Sequence, residues 1–318
     1  MEAPAARNDV FRHIARAIES VLMQQTDFEY EILISEDFST DSTRDIVIGY
    51  QARHPDKIRF LLSEENLNDN SVVLRGIRAA RGEYVALLDG DDYWMSPQKL
   101  QKQVQFLDGH PECSMCFHEC AILSEDPTDA GHTCSPIKLF FSLNDLLEGN
   151  FVTTCSVMFR LAALGNVPDW YTGCVFGDWP LYILLSQQGM VGYLPDCLAV
   201  YRIHSGGQWS GLPEGRRIEQ LASFYARLRS HLGPRYDRFL RRITSSHYLS
   251  YARRSHLRGE RAAAETLARL GLVQNPYNWR LLLLLYAPAV YDGIAFLKHR
   301  IVGCPPDVRG IARRAATD

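Results

Sequence analysis

The chain has 318 residues, of which 46% are hydrophobic and 22% are charged, and its formal net charge at pH 7 is −3. This composition is typical of a globular protein with a sizeable core. The small negative net charge provides no overall attraction to a nucleic acid, so the charge alone gives no reason to expect one as a partner. Eight cysteines in a chain of this length do not form the pattern of a disulfide framework, so we expect a reduced, cytoplasmic setting.

Helical and strand-like segments alternate along the first part of the chain. Val10–Leu22 has the apolar spacing of an amphipathic helix, and the nine residues before it show no strand pattern. The next predicted elements are the strand Tyr30–Ile34, a helix from Ser42 to about Arg53, the strand Lys57–Leu62, the helix Ser71–Ala80 and an apolar strand at Val85–Leu88. Such alternation predicts an α/β fold with a largely parallel sheet.

The alternation continues to about residue 211 and then stops. The predicted elements are a helix around Leu100–Leu107, the strand Cys113–Leu123, the helix Ser142–Glu148, the strand Ser156–Phe159, the helix Trp179–Gln188, and the strands Val191–Leu194 and Leu198–Ile203. Beyond this point residues 216–232, 235–257 and 260–270 are charged and helical. The segment 281–297 is interrupted by Pro288, Asp292 and Gly293, so we interpret it as a packed or interfacial helix. We therefore expect an α/β domain at residues 1–211 and a helical region at residues 212–318.

Three carboxylates follow the apolar strand, in the stretch Glu83-Tyr-Val-Ala-Leu-Leu-Asp-Gly-Asp-Asp-Tyr-Trp94. Asp89, Asp91 and Asp92 repel one another when all are ionised, and a divalent cation removes that cost. Mg²⁺ or Mn²⁺ commonly binds one or two carboxylates and shares its other positions with water and substrate phosphates. Ligands of open α/β sheets bind just beyond the carboxyl ends of the strands, where these acids lie. The competing interpretation is a polar turn with solvated acids.

Five segments, in the same order, resemble the family 2 glycosyltransferases of GT-A fold over about residues 8–210. They are Ala17-Ile-Glu-Ser-Val-Leu-Met-Gln-Gln-Thr26, Glu31-Ile-Leu-Ile-Ser-Glu-Asp-Phe-Ser-Thr-Asp41, Asp89-Gly-Asp-Asp92, Gly177-Asp-Trp-Pro180 and Tyr201-Arg-Ile-His-Ser-Gly-Gly-Gln-Trp-Ser210. Each segment alone is a weak signal, and their shared order makes the resemblance specific. The resemblance implies a Rossmann-like, mostly parallel sheet with a helical C-terminal appendage.

The resemblance assigns roles on the donor side of the site. Asp37 corresponds to the acid that bonds the nucleotide base. Asp89 and Asp91 fall on the metal-binding Asp-any-Asp motif, for Mg²⁺ or Mn²⁺, and Asp92 adjoins it as a further donor-binding residue.

On the other side of the site, Asp178 falls where the family keeps its catalytic base. Arg202 and His204 belong to the segment that the family closes over the donor diphosphate, and His204 is also a candidate metal ligand. A helix N-cap is the alternative role for Asp178, and a structural histidine is the alternative for His204. Trp94 and Trp179 adjoin the acids and are the expected stacking partners of an acceptor sugar.

The activity that the resemblance implies is a metal-dependent, inverting transfer of a sugar from a nucleotide-diphosphate donor to the hydroxyl of a saccharide or glycolipid acceptor. Bacterial polysaccharide or glycoconjugate assembly is the expected setting. Peripheral contact between the C-terminal helices and the inner face of the membrane is one interpretation of the tail, and a solvated helix face is the more common role of arginines such as Arg241-Arg242 and Arg253-Arg254. The alternatives are a nucleotidyltransferase, for which no Gly-rich basic loop is visible near the start, and an inactive GT-A scaffold. Cysteines in the core are favoured over a zinc site, for which the candidate ligands would be Cys113, Cys116, His118, Cys120, His132 and Cys134.

Two departures from the family pattern concern the start of the chain and the helix before the acid cluster. The family opens with an apolar strand and a proline-containing turn, of which Asn8 is the last trace, so we expect the natural protein to start upstream. The family also often carries a basic or amide residue near Val73 and Leu74. Here both are apolar, which leaves Asn66, Asn70 and Arg75 as polar candidates.

Overall fold

A computed structural model describes residues 5–124, 131–132, 138–204, 209 and 212–292. Residues 205–208 of the predicted closing segment, Cys134 of the zinc alternative and residues 293–297 of the last predicted helix lie outside this description. Contacts divide the chain into two compact units, Met1–Ser210 and Gly211–Asp318.

The first unit alternates helices and strands, as the sequence predicted. Its elements in chain order are α1 (Ala5–Leu22), β1 (Ile32–Glu36), α2 (Thr43–Arg53), β2 (Ile58–Leu62), α3 (Ser71–Ala79), β3 (Tyr84–Ala86), β4 (Tyr93–Trp94), α4 (Lys99–Gly109), β5 (Cys113–Ser124), β6 (Gly131–His132), β7 (Phe140–Phe141), α5 (Leu143–Glu148), β8 (Met158–Arg160), α6 (Asp178–Ser186) and β9 (Met190–Ile203). Short 3₁₀ turns at Thr154–Ser156, Leu161–Ala163 and Asp169–Tyr171 connect them.

The strands form two sheets. β1 and β2 pair in parallel, from Ile32 opposite Ile58 to Glu36 opposite Leu62. The larger sheet has the order β3-β8-β5-β9-β4, with β6 beside β5 and β7 beside β9. Its longest pairing, β5 with β9, is also parallel, and the shorter pairings are antiparallel. The parallel pairs therefore predominate by length, and the fold is α/β.

Strand β9 replaces the two strands predicted at 191–194 and 198–203. It runs without interruption past Pro195 and Asp196, while its pairing with β5 shifts register between His118 and Cys120. Such an irregularity absorbs extra residues without ending the strand. The continuous strand carries its C-terminal end as far as the acid cluster.

Strand β3 is shorter and more exposed than predicted. It ends at Ala86, and Leu87 and Leu88 belong to the loop that leads to the acids. An unbroken apolar run such as Val85–Leu88 predicts a strand buried on both faces, but the residues from Tyr84 to Leu88 are only half-buried. Among the described strands β3 pairs only with β8, so one of its edges has no strand partner there.

The core of the first unit surrounds β5, β9 and α6. The first six residues of β5 are buried, and so is every residue of α6 from Trp179 to Ser186. Gly192 of β9 allows helix α4 to pack closely, because a Cβ at this position would lie 2.2 Å from the ring of Phe106. These buried elements fix the ends of the strands that carry the candidate site.

The second unit consists of helices over its described residues. They are α7 (Glu214–Leu232), α8 (Pro234–Leu257), α9 (Arg261–Gln274) and α10 (Trp279–Tyr286). Ala252, Ala268, Leu281 and Leu284 form a small buried cluster where α8, α9 and α10 meet. None of the helices in the described part of the chain is long and apolar enough to cross a membrane.

Candidate active site

The acid cluster occupies the loop between β3 and β4. The loop turns where the backbone N–H of Asp92 donates to the carbonyl of Asp89 at 3.2 Å. It also passes close to helix α1, since a Cβ at Gly90 would lie 3.2 Å from Cδ1 of Ile14. β4 then pairs with β9, which brings the C-terminal end of β9 next to the acids.

His204 follows β9 and contacts the cluster directly. Its Nε2 lies 2.9 Å from Oδ2 of Asp91, and both side chains are about one-third exposed. The sequence left open whether His204 is a site residue or a structural histidine. The contact places its imidazole beside a carboxylate of the cluster, with surface left for a ligand.

Asp92 lies behind the cluster rather than in it. Its side chain is 1% exposed, and its Oδ1 accepts the backbone N–H of Arg202 at 2.8 Å. Burial, together with the charges of Asp89 and Asp91, raises the pKa of Asp92 to about 8. Asp92 therefore joins the acid loop to the end of β9, which differs from the expectation that it contacts the donor.

Asp89 and Asp178 lie close enough to influence each other electrostatically, although they are 89 positions apart in the sequence. Asp89 is exposed to solvent, although neighbouring protein atoms partly desolvate its carboxylate. Desolvation, together with the charges of Asp91 and Asp178, raises its pKa to about 7. Three carboxylates thus converge, and a bound cation would reverse this rise because it favours their ionised forms.

Asp178 is the first residue of helix α6, and Gly177 takes the N-cap position that was its alternative role. Burial raises the pKa of Asp178, and N–H groups at the start of the helix oppose that rise. Nδ2 of Asn150 donates to Oδ2 of Asp178 at 2.7 Å, while Oδ1 of Asn150 accepts the N–H of Val152 at 3.1 Å. The Asn150 amide therefore holds the Asp178 carboxylate, and the N–H of Val152 fixes the orientation of that amide. Sequence reasoning did not identify Asn150.

Asn70 fixes the segment that leads to Asp178. Its Nδ2 lies 3.1, 2.8 and 3.4 Å from the carbonyl oxygens of Tyr171, Cys174 and Phe176, and the residue is buried. A Cβ at Gly177 would lie 2.5 Å from Oδ1 of Asn70, so this approach requires glycine. The sequence marked Asn70 only as a polar candidate, because contacts over a hundred residues apart leave no local pattern.

Asp37 lies at the end of β1, where its two oxygens accept the backbone N–H groups of Leu67 at 2.9 Å and Asn68 at 3.0 Å. Asn68 adopts a left-handed φ of 48°. Asp37 thereby fixes the loop that follows β2. Each carboxylate oxygen keeps a second lone pair, so contact with a nucleotide base stays a prediction.

Arg75 fills the space between the ends of β1 and β2. Its guanidinium donates to the carbonyls of Glu36, Leu61 and Leu62 and to the hydroxyls of Ser35 and Ser63. This use of its donors satisfies carbonyls at the strand ends, which is a structural role. A shallow groove of about 640 Å³ beside α3 is lined partly by Arg75, and no residue of the acid cluster lines it.

The two tryptophans expected to stack on an acceptor sugar belong to the core, so that prediction is wrong. Trp94 is 4% exposed and its Nε1 donates to the carbonyl of Cys155 at 3.0 Å. Trp179 is 7% exposed and its Nε1 donates to the carbonyl of Leu146 at 2.6 Å. The half-buried rings beside Asp178 are instead Phe176 and Trp209, in edge contact with centroids 5.3 Å apart.

Asp89, Asp91 and His204 are the chemically suitable ligands for a divalent cation in this site. In the described part of the chain no three His, Cys, Asp or Glu side chains are already arranged around a metal position. Mg²⁺ and Mn²⁺ are commonly held by one or two carboxylates and complete their coordination with water and substrate phosphates. The exposed carboxylates, whose ionised forms repel one another, fit such a shared cation.

The model of the family "Glycosyl transferase family 2" matches residues 6–164. The uncharacterized protein Rv1520 of Mycobacterium tuberculosis is 36% identical over 206 residues, which are 64% of this chain and 59% of the relative. The putative teichuronic acid biosynthesis glycosyltransferase TuaG of Bacillus subtilis is 29% identical over 195 residues, 60% of this chain and 74% of the relative. The chain thus spans less than two thirds of the mycobacterial relative's length.

Two solved structures share the fold. Staphylococcus aureus TarS 1–349 in complex with UDP-GlcNAc has a TM-score of 0.61 and 16% identity, covering 94% of this chain and 90% of that one. The mannosyltransferase PcManGT from Pyrobaculum calidifontis, in complex with GDP-Man and Mn²⁺, has a TM-score of 0.54 and 18% identity, covering 92% of this chain and 84% of that one. The predicted fold, a GT-A α/β fold with a helical C-terminal part, is confirmed.

Proposed function

Because the chain belongs to glycosyl transferase family 2, we propose that it transfers a sugar from a nucleotide-diphosphate donor to an acceptor hydroxyl. One observation carries this proposal: Asp178 lies close enough to the Asp89–Asp91 loop for its charge to raise the pKa of Asp89. The site thus combines carboxylates suited to a cation and its diphosphate with a separate carboxylate suited to proton transfer.

Asp178 acts as the general base in the proposed reaction. Its carboxylate accepts the proton of the acceptor hydroxyl, whose oxygen attacks the anomeric carbon while the nucleoside diphosphate leaves from the opposite face. This displacement inverts the anomeric configuration and forms no covalent intermediate with the protein. Asn150 donates to Oδ2 of Asp178 and so holds the carboxylate in place for the hydroxyl.

Asp89, Asp91 and His204 hold the divalent cation in this proposal, and Arg202 lies at the end of β9 beside them. A bound Mg²⁺ or Mn²⁺ would neutralise charge that develops on the leaving diphosphate. Arg202 adds a positive charge on the donor side, and Asp37 is kept as the candidate for contact with the nucleotide base.

The relatives support the choice of partners. TarS binds UDP-GlcNAc, PcManGT binds GDP-Man with Mn²⁺, and TuaG is named for teichuronic acid biosynthesis. We therefore assign this chain a nucleotide sugar as donor, a saccharide or glycolipid as acceptor, and a place in bacterial polysaccharide assembly. Cys113, Cys116 and Cys155 are unbridged, and Sγ of Cys120 lies 3.7 Å from Sγ of Cys155, which is too far for a disulfide bond. This supports the reducing, cytoplasmic setting that we propose.

Donor turnover in the presence of Mn²⁺ tests the proposal directly. UDP- and GDP-sugars are supplied with short oligosaccharide acceptors, and release of nucleoside diphosphate and the anomeric configuration of the product are followed by NMR. Asp178→Asn should lower turnover by roughly 10²-fold or more with donor affinity nearly unchanged. Asp91→Asn should abolish Mn²⁺-dependent donor binding, whereas the exposed control Asp56→Asn should change neither.

The same assay separates the alternatives. A nucleotidyltransferase would release pyrophosphate from a nucleoside triphosphate, and a scaffold would neither bind nor turn over a donor. Equal turnover by the wild type and Asp178→Asn would return Asp178 to a structural role at the start of α6.

A further inference from the structure

Helix α10 exposes large apolar side chains on one face. Trp279, Leu282 and Tyr286 recur at the spacing i, i+3, i+7 and therefore share a face. Their exposed fractions are 52%, 38% and 74%. Leu281 and Leu284 point to the other side and are buried in the cluster with α8 and α9. The helix is thus apolar on two sides, of which only one is covered within the described residues.

The exposed apolar surface extends beyond α10 at both ends. Val273 is 69% exposed, Tyr277 is 88% exposed and Val290 is 53% exposed. The end of α9 packs tightly on the start of α10, because a Cβ at Gly271 would lie 2.6 Å from Cδ1 of Leu281. We call the exposed set the outer patch: Val273, Tyr277, Trp279, Leu282, Tyr286 and Val290. Six large apolar side chains exposed within 18 consecutive residues are more than the single exposed side chains of an ordinary surface, and such a concentration indicates an interaction site.

Strong positive charge accompanies the outer patch. Residues 211–318 contain 19 Lys and Arg but only 8 Asp and Glu, whereas residues 1–210 contain 15 and 29. All 14 basic residues of the segment 212–292 are arginines. Most acids of that segment form ion pairs within it, as Glu214 does with Arg254 and Arg258. The excess charge of the helical unit is therefore cationic and complements an anionic partner.

Three of these arginines lie in or beside the segment that carries the patch. Arg269 and Arg280 are exposed on α9 and α10, and the guanidinium of Arg280 lies 5.4 Å from the ring centre of Trp279. Arg253 and Arg280 are both close enough to Tyr291 to lower the pKa of its phenol, against the rise that burial causes. Cations and aromatic rings therefore occupy the same part of the helical unit.

We propose that the outer patch docks into the interface of an anionic lipid bilayer. Trp and Tyr prefer the boundary between headgroups and acyl chains, aliphatic side chains enter the acyl region, and arginines bind the headgroup phosphates. A nucleic acid would use the arginines and the rings but would leave Val273, Leu282 and Val290 without a role. The inference does not depend on the proposed glycosyl transfer, since it concerns only the helical unit.

Vesicle sedimentation tests the proposal on the full chain. The probes are phosphatidylcholine vesicles with and without phosphatidylglycerol, at low and at physiological ionic strength. The protein should sediment with the anionic vesicles, bind the neutral ones at least about tenfold more weakly, and release as salt is raised. Its donor turnover is measured in parallel, so a failure of membrane binding and a failure of the proposed activity appear in different assays.

Two sets of variants separate the apolar contribution to vesicle binding from the ionic contribution. Trp279→Ser with Leu282→Ser and Tyr286→Ser should reduce binding to anionic vesicles by at least about tenfold, whereas Trp279→Tyr should preserve it. Arg253→Gln with Arg269→Gln and Arg280→Gln should reduce it by about fivefold per arginine. The controls make equivalent changes at exposed positions of the first unit, Leu62→Ser with Leu139→Ser and Arg78→Gln with Arg81→Gln, and should bind as the wild type does.

Several results would overturn the inference. One is the absence of sedimentation with either type of vesicle. Another is a serine variant that binds anionic vesicles as tightly as the wild type does while its circular dichroism spectrum shows that it is folded. Binding to a single-stranded homopolymer in place of vesicles would make the helical unit a nucleic-acid surface. A dimer that the serine variant dissociates, without vesicle binding, would assign the patch to contact between two copies.

Discussion

One amide sets the orientation of the proposed catalytic base. Asn150 is exposed, yet both ends of its carboxamide are used, one by the N–H of Val152 and the other by Asp178. An N–H donor stabilises the ionised form of a carboxylate and so opposes the pKa rise that burial causes. The other titratable groups that face Asp178 are Asp89, Tyr171, Tyr182 and Tyr201.

Asn150→Ala should therefore change the pH dependence of turnover. Asp178 accepts a proton only when it is ionised, so turnover falls as pH drops through its pKa. Removal of the donor raises that pKa and should move the acidic limb of the kcat/KM profile upward by about one pH unit. Donor affinity should stay unchanged, and Asn144→Ala on the neighbouring helix is the matched control. If Asn150→Ala is active and the acidic limb of its kcat/KM profile lies at the same pH as in the wild type, Asn150 only supports the loop.

Lys99 is the second residue with a measurable consequence. It is fully buried, and its Nζ lies 3.9 Å from the ring centre of Trp94, without a hydrogen-bond partner among the described residues. Burial lowers its pKa to about 7. Since this lies below the unfolded value, the charged form destabilises the folded state. The cost is fully present below pH 7 and fades as pH rises towards about 10.5.

Lys99→Met should consequently stabilise the protein near neutral pH. The expected gain in free energy of unfolding is about 1–4 kcal/mol, the range found when buried ionic groups are replaced by apolar ones. Urea unfolding at two pH values measures it, and the gain should shrink at the higher pH. Lys102→Met, at a half-exposed lysine paired with Asp196, should show no such dependence. A variant that is less stable at both pH values would mean that the contact with Trp94 outweighs the cost of burial.

At the scale of elements, periodicity predicted most helices and strands because it reports which faces are buried. It missed the continuity of β9, because the register shift that carries this strand past Pro195 arises from its pairing with β5. It also predicted too much burial for β3, since the number of paired edges does not appear in a strand's own sequence. The cluster Asp89, Asp91 and Asp92 was found from its position at the end of an apolar strand, whereas Asp37 and Asp178 were found through the family resemblance. Asn70 and Asn150 were not assigned roles, because their partners come from distant parts of the chain.

Two glycine substitutions have opposite expected effects. Gly177 packs against Asn70 at the start of α3, whereas Gly49 has open space around it. Gly177→Ala would place a methyl group 2.5 Å from Oδ1 of Asn70, so either the Asn70 side chain, which three carbonyl oxygens hold, or the start of α6 must shift. We expect turnover to fall at least about tenfold with donor affinity retained, because Asp178 follows directly. Gly49→Ala, in helix α2 with open space around its Cβ, should instead raise stability by about 0.5–1 kcal/mol. Thermal melts and initial rates measure both, and unchanged turnover in Gly177→Ala would contradict the tight packing.

At the scale of the whole molecule, the small net charge is the sum of a large negative charge on residues 1–210 and a large positive charge on residues 211–318. The counts for residues 1–210 and 211–318 correspond to formal charges of −14 and +11, which sum to the net −3. A net charge near zero provides little repulsion between copies. At low ionic strength the field of each half extends over tens of ångströms, so the acidic half of one copy attracts the basic half of another.

The chain should therefore self-associate at low salt and separate as salt is raised to physiological strength and beyond. Sedimentation velocity at ionic strengths of about 0.01 and 0.15 M measures this, since the screening length falls from about 30 to 8 Å between them. Sucrose in place of salt should leave the association intact, and Arg253→Gln with Arg269→Gln and Arg280→Gln should weaken it. Association that grows with salt would instead indicate contact through the apolar outer patch, because salt strengthens apolar burial while it screens charge.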